Sequence, residues 1–247
     1  IQAKSIADYA KKINADAVSH GSTGAGNDQV RFDVIFNILC PNIEIITPIR
    51  DLKLSREAEI EFLKENQVEM NFEKALYSVN KGLWGTSVGG KETLTSNQYL
   101  PETAFPSQLE KTEADKTEVI LHFKQGEIVA INETVFSHPS EAILYLESLA
   151  APFAIGRDIH VGDTIVGIKG RVGFEAASAL IILKAHHLLE KHTLSKFQLN
   201  LKSQLADWYG SWLHEGLFLD PALRDIETFF TNSQKTVNGK VIVTLLP

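Results

Sequence analysis

The run His20-Gly-Ser-Thr-Gly-Ala-Gly-Asn-Asp-Gln-Val-Arg-Phe32 gathers residue types that hold charged small molecules. Gly21, Gly24 and Gly26 leave room for a ligand to approach the backbone and permit positive φ. Residues 16–19 before it are short and half apolar, like a strand end, and residues 27–39 after it read as a helix. Strand, glycine turn and helix start together aim unpaired backbone N–H groups at an anion. Asn27 and Arg31 are four residues apart and Asp28 and Arg31 three, so all three share one helix face beside the turn. An amide, a carboxylate and a guanidinium there suit a zwitterion: Arg31 for a carboxylate, Asp28 for an ammonium, Asn27 for either. The spacing is not Gly-x-Gly-x-x-Gly, and Asn27 stands where a Walker A loop needs Lys. The same residues also suit a tight strand–helix turn with a capped helix.

The elements that must position this turn alternate. Helices are expected over 1–13, 27–39 and 55–66, and strands over 15–19 and 43–47, short and apolar as in a covered parallel sheet. Ser55 caps the third helix, and 48–51 is a short connection. Two strands are too few to close a sheet, so further strands are expected upstream. After about residue 70 the character changes. Residues 77–90 read as a glycine- and hydroxyl-rich surface loop with Trp84 tucked under it, and 91–113 as an irregular excursion. A hairpin is expected over 118–131 around Gln125-Gly126, a helix over 137–149, and a glycine-interrupted strand over 163–174. Helices over 175–192, 195–215 and 220–232 follow, then a hairpin over 235–246 around Asn238-Gly239. The fold class is therefore α/β with part of a Rossmann-like parallel-sheet domain over 1–69, then an α+β domain with antiparallel sheet over 70–247.

Composition narrows the functions. The 247 residues carry a net charge of −7 without a basic run, which argues against a nucleic-acid partner. No apolar run approaches the ~20 residues needed to span a bilayer. The lone cysteine, Cys40, excludes an intramolecular disulfide, fits a reducing compartment and reads as a core residue at the end of an apolar helix. Both ends read as cut, since the chain opens in a helix and stops in a strand. His186, His187, Glu190 and His192 offer two ligands four apart, His186 and Glu190, which do not make a zinc site; a helix surface or subunit contact is expected, and no metal site. Trp208, Tyr209 and Trp212, at helical spacing, read as packing.

The motif from Gly21 to Phe32 resembles the Gly-x-Thr-Gly-x-Gly-Asn-Asp-Gln-x-Arg-Phe run of the argininosuccinate synthase family. A second segment, Tyr77-Ser-Val-Asn-Lys-Gly-Leu-Trp-Gly-Thr-Ser-Val-Gly-Gly90, resembles its Tyr-Ser-x-Asp-x-Asn-Leu-Trp-Gly-x-Ser-x-Glu motif, in the same order. The resemblance covers nearly the whole chain. It implies an adenine-nucleotide alpha-hydrolase-like domain followed by a synthetase domain, in a cytoplasmic homotetramer of arginine biosynthesis. It also implies ATP-dependent ligation of citrulline and aspartate through a citrullyl-adenylate, with Mg2+ accompanying the nucleotide. By that resemblance Gly21, Ser22, Gly24 and Gly26 lie against ATP, and Thr23, Asn27 and Asp28 hold aspartate. Asn27, Arg31, Ser78, Ser87 and Phe174 face citrulline, and Asp28 meets the aspartate amine as the catalytic carboxylate.

Several positions depart from the family pattern. Ala25 replaces a Lys, Asn80, Gly82 and Gly89 replace Asp, Asn and Glu, and Gly162 and Phe174 replace a Glu and a Tyr of the citrulline pocket. The family's Ser-Gly-Gly-x-Asp loop does not occur, so this stretch alone is expected to bind ATP poorly and to be inactive without its parent chain. Two alternatives within the resemblance are a divergent enzyme using an N-acylated citrulline and a non-catalytic amino-acid-binding relative. A third is an RNA-modifying adenylating enzyme, which the acidic charge opposes.

Overall fold

The computed structural model describes residues 1–24, 26–68 and 77–247. Contacts divide the chain into two units, one of Ile1–Glu73, Asp163–Lys169 and Leu205–Ile226, the other of Lys74–Gly162, Gly170–Gln204 and Glu227–Pro247.

In the first unit, α1 (Gln2–Ile13) buries Ala3, Ala7 and Ala10, whose spacing of four and three keeps them on one face. It stops at Asn14, which takes the left-handed conformation at φ 52°. β1 (Ala17–Ser19) leads through the glycine turn into α2 (Asn27–Leu39), which carries Asp28 in its first turn. β2 (Glu44–Ile46) pairs parallel with β1, Val18 opposite Ile45. The expected plain connection is instead a one-turn helix, α3 (Pro48–Asp51), because proline at its start is preorganised for helix. Ser55 caps α4 (Arg56–Glu65) by accepting the Ala58 N–H at 3.2 Å. Val18, Ile35, Phe36 and Cys40 pack with the α1 alanines, so Cys40 is a core residue as its setting implied.

In the second unit, β3 (Tyr77–Gly82) and β4 (Gly85–Gly90) form an antiparallel hairpin where the composition reads as a loop. Trp84, at its tip, is 54% exposed rather than tucked beneath it. Gly85 permits the turn: at φ 144°, an added Cβ would meet Glu175 O at 2.7 Å. β5 (Thr117–Lys124) and β6 (Glu127–Ile131) form the expected hairpin, with Gln125 and Gly126 both at positive φ as a tight two-residue turn requires. β7 (Thr134–Val135) and α5 (Pro139–Ala150), capped by His138, follow. The stretch expected as one interrupted strand is a turn and the second arm of a pair, β8 (Arg157–Asp163) and β9 (Lys169–Glu175).

Next come α6 (Ala177–Thr193), α7 (Lys196–His214) and α8 (Pro221–Gln234). The final stretch is a single strand, β10 (Gly239–Leu245), which pairs with β5 instead of folding on itself. The two four-stranded sheets run β10-β5-β6-β7 and β3-β4-β9-β8. Leu121, Ile131, Leu146, Ile182 and Leu245 form the core of the first of these with α5 and α6. The irregular 91–113 segment is fastened by Arg157, which donates to Glu102 at 2.5 Å and to the Ser107 carbonyl at 2.5 Å. The Arg157 guanidinium and the Leu109 N–H hold the Glu102 carboxyl below its ordinary value. No residue of α7 is buried; Trp208 stacks on Trp212 at 6.2 Å instead of entering a core.

Glu190, 1% exposed, is neutralised locally. Lys202 Nζ reaches it at 3.1 Å and Gln234 Nε2 donates to it at 2.8 Å, while His186 Nε2 donates to Gln234 Oε1 at 2.9 Å. Burial pushes His186 below its ordinary 6.5 and outweighs the opposing pull of the Glu190 carboxylate 3.7 Å away. The unfolded chain therefore takes up this proton first, so the associated stability is complete above 6.5 and is lost as pH falls from there through the lower value of the folded state. Thermal melts across that range will show a decline toward acid, and His186→Gln will flatten part of it; an unchanged slope would contradict the assignment.

Candidate substrate site

The turn between β1 and α2 stands on a polar brace. His20 is 8% exposed and stacks on Phe32 at 5.1 Å. Its Nδ1 accepts the Ser22 N–H at 3.2 Å, which places the ring proton on Nε2, 3.3 Å from Asp33 Oδ1. The other Asp33 oxygen accepts Arg50 Nη1 at 2.5 Å. Gln29, also buried, donates to the Gly24 carbonyl and accepts from Arg50 at 3.4 Å. Gly21, Gly24 and Gly26 do not use the positive φ they permit; none is in the left-handed region. An added Cβ at Gly21 or Gly24 would make ordinary 3.8 Å contacts with Ile49 or Arg50. These glycines offer bare backbone rather than an unusual conformation. Ala25 lies outside the described residues.

The first turns of α2 bring Asn27, Asp28 and Arg31 together as their spacing implied. Arg31 Nη1 donates to Asp28 Oδ1 at 2.9 Å, and Asp28 and Thr23 are exposed. Two partners have no local signal in the sequence. Arg31 Nε donates to the His214 carbonyl at 2.8 Å, and Asn27 Oδ1 accepts the Ile165 N–H at 2.8 Å. His20 stands within the motif, but its partner Asp33, and Arg50 beyond it, become visible only in the fold.

Ser78, Ser87 and Phe174 belong to the second unit. The register sets Asn80 opposite Ser87, Ser78 opposite Gly89, and Ser87 opposite Phe174. Alternation therefore puts all five residues on one face of the β3-β4-β9-β8 sheet. The other face buries Thr86, Val88 and Glu175. A shallow depression holds Asn80, Trp84, Ser87 and Phe174. At Gly162 an added Cβ would stand 2.5 Å from His160 Nε2, so the His160 ring fills the space a side chain there would take. A larger apolar groove runs along α6 and β10, lined by Leu180, Leu188 and Val241, and contains none of the candidate residues. Among the described residues no three His, Cys, Asp or Glu converge on a metal-sized site, and no helix is long and apolar enough to cross a membrane.

A parallel strand pair, a bare glycine turn and a polar helix start make the first unit α/β. Residues 1–69 match the model of the Arginosuccinate synthase N-terminal HUP domain, and 77–246 match that of the Arginosuccinate synthase C-terminal domain. The chain belongs to the argininosuccinate synthase family. It is 35% identical over 244 residues to the argininosuccinate synthase of Methanocaldococcus jannaschii, covering 98% of this chain and 62% of that protein. The enzyme of Dictyoglomus thermophilum is 36% identical over 247 residues, covering 99% and 62%, and that of Sulfolobus acidocaldarius 33% over 238, covering 96% and 60%. The chain thus spans about three-fifths of the length of these curated relatives.

Removing the brace has a measurable cost. Arg50→Ala strips a donor from both Asp33 and Gln29. Because Arg50 and Asp33 are each 29% exposed, the loss will sit near the low end, about 1 kcal/mol. A thermal melt will register it as a drop of about 2–4 °C; an unshifted melt would mean the turn is held by other contacts.

Proposed function

We propose that the full-length protein carrying this chain joins citrulline and aspartate at the expense of ATP, yielding argininosuccinate, AMP and pyrophosphate. Membership of the family supports this reading. The observation that carries it in the structure is the grouping of an amide, a carboxylate and a guanidinium on the α2 start, beside a turn of bare backbone.

A ureido oxygen is a poor leaving group. It first attacks the α-phosphorus of ATP, releasing pyrophosphate and forming a citrullyl-adenylate. The aspartate amine then attacks the ureido carbon and AMP departs. The protein's task is positioning and charge stabilisation. Gly21, Ser22, Gly24 and Gly26 line the nucleotide, and Thr23, Asn27 and Asp28 hold aspartate. The family resemblance assigns Arg31 and Asn27 to citrulline, and likewise Ser78, Ser87 and Phe174. Asp28, exposed at the helix start, pairs with the aspartate ammonium and accepts a proton as the amine becomes nucleophilic. Mg2+ would accompany the nucleotide phosphates, whose charge it would offset. Residues 1–69 serve as part of the nucleotide-binding domain and 70–247 as synthetase domain, in a cytoplasmic homotetramer that uses neither nucleic acid nor membrane.

Pyrophosphate release by the full-length protein tests the reading. Sustained release should require ATP, citrulline and aspartate together, because without aspartate the adenylate forms once and is not consumed, and silence with all three would end the reading. Asp28→Asn should lower turnover by about 100-fold, the scale of losing one positioned proton acceptor. Unchanged turnover would remove Asp28 from the chemistry.

A further inference from the structure

We infer that His214 is a positioning residue for this site, fixing which N–H groups of Arg31 remain for a substrate carboxylate; the inference rests on the ligase reading above. A guanidinium has five N–H donors. Within the described residues three are committed: Nε to the His214 carbonyl at 2.8 Å, Nη2 to His214 Nδ1 at 3.1 Å, and Nη1 to Asp28 Oδ1 at 2.9 Å. One N–H is left on each terminal nitrogen. Because Nη2 donates to Nδ1, the ring proton lies on Nε2. That protonated Nε2 faces Asn27 Nδ2 at 3.4 Å, donor to donor, so the ring's acceptor serves Arg31 alone, while Asn27 Oδ1 accepts the Ile165 N–H at 2.8 Å.

A separate observation places the chain after α7 firmly against this helix. Gly216 sits at φ 89°, and a Cβ there would stand 3.3 Å from both Arg31 Cα and Arg31 Cγ. Only glycine meets the conformation and the gap together. The backbone at 214–216 is thus pressed onto the Arg31 backbone, and the His214 ring is brought to the guanidinium by main-chain packing as well as by its own hydrogen bond. Losing the ring leaves Arg31 its Nε bond to the His214 carbonyl and its Nη1 bond to the exposed Asp28, and removes the acceptor that fixes Nη2.

The test uses the full-length protein with His214→Ala and His214→Asn, the latter keeping an acceptor near the place of Nδ1. Steady-state kinetics should show the citrulline KM raised about tenfold in His214→Ala, the scale of one charge-assisted hydrogen bond, with the ATP KM within about twofold. His214→Asn should recover much of the loss. A second readout needs no turnover: solvent exchange of the Arg31 side-chain N–H groups, followed by NMR, should be faster in His214→Ala. Unchanged citrulline KM, or an equal rise in every KM, would overturn the positioning role. If the unaltered protein releases no pyrophosphate, the ligase reading fails, and exchange alone decides: faster exchange sustains the clasp on Arg31, and unchanged exchange removes it.

Discussion

Asp33 carries one negative charge that two donors share, the His20 ring from the end of β1 and the Arg50 guanidinium from α3. The glycine turn depends on that charge. Among its described residues, Gly26 N–H donates to the Thr23 carbonyl at 3.3 Å, and a Cβ added at Gly21 or Gly24 would meet Ile49 or Arg50 only at ordinary van der Waals distance. A bare turn left to itself would sample many conformations, because glycine loses more freedom on ordering than any other residue. Bracing it through buried side chains lets the upper surface stay unfilled. His20 is suited to this because its two nitrogens do opposite jobs, one accepting from the turn and one donating to Asp33.

The second unit builds its candidate face by a different device. There the positioning is done by sheet register. Ser78, Ser87 and Phe174 come from three strands, and backbone pairing alone aligns them. The opposite face is locked by Val88 at full burial and by Glu175, which accepts the Ser107 hydroxyl at 2.6 Å. A slip of one residue would send every candidate side chain to the buried face, so those contacts also keep the register.

How much of this was legible in the sequence follows from the range of the forces involved. The α2 cluster was legible because helical spacing is local: residues three and four apart must share a face. So were the cap at Ser55 and the Gln125-Gly126 turn. The β3–β4 hairpin was not, because glycines and hydroxyls hide its alternation and much of its order comes from pairing with β9. The Asn238-Gly239 signal was misread for a similar reason. It does mark a change of direction, but Asn238 Oδ1 accepts the Gln125 N–H 113 residues away, and the strand that follows pairs with β5. His214 lies 183 residues from Arg31, and no periodicity can connect them.

The α2 site also shows why its charged groups are already partnered before any ligand is considered. An unpaired guanidinium at a helix start would be repelled by the positive end of the helix dipole. Asp28 offsets that locally, and the His214 carbonyl and ring accept two further donors. The cost of orienting a long, flexible side chain is thereby met during folding rather than at binding. In the proposed reaction a substrate carboxylate would meet a guanidinium whose plane is set, and only the donors that the chain has left uncommitted would be offered to it. Selectivity for the shape and direction of the incoming carboxylate follows from that restriction, because a planar fork held in one orientation discriminates where a rotating one would not.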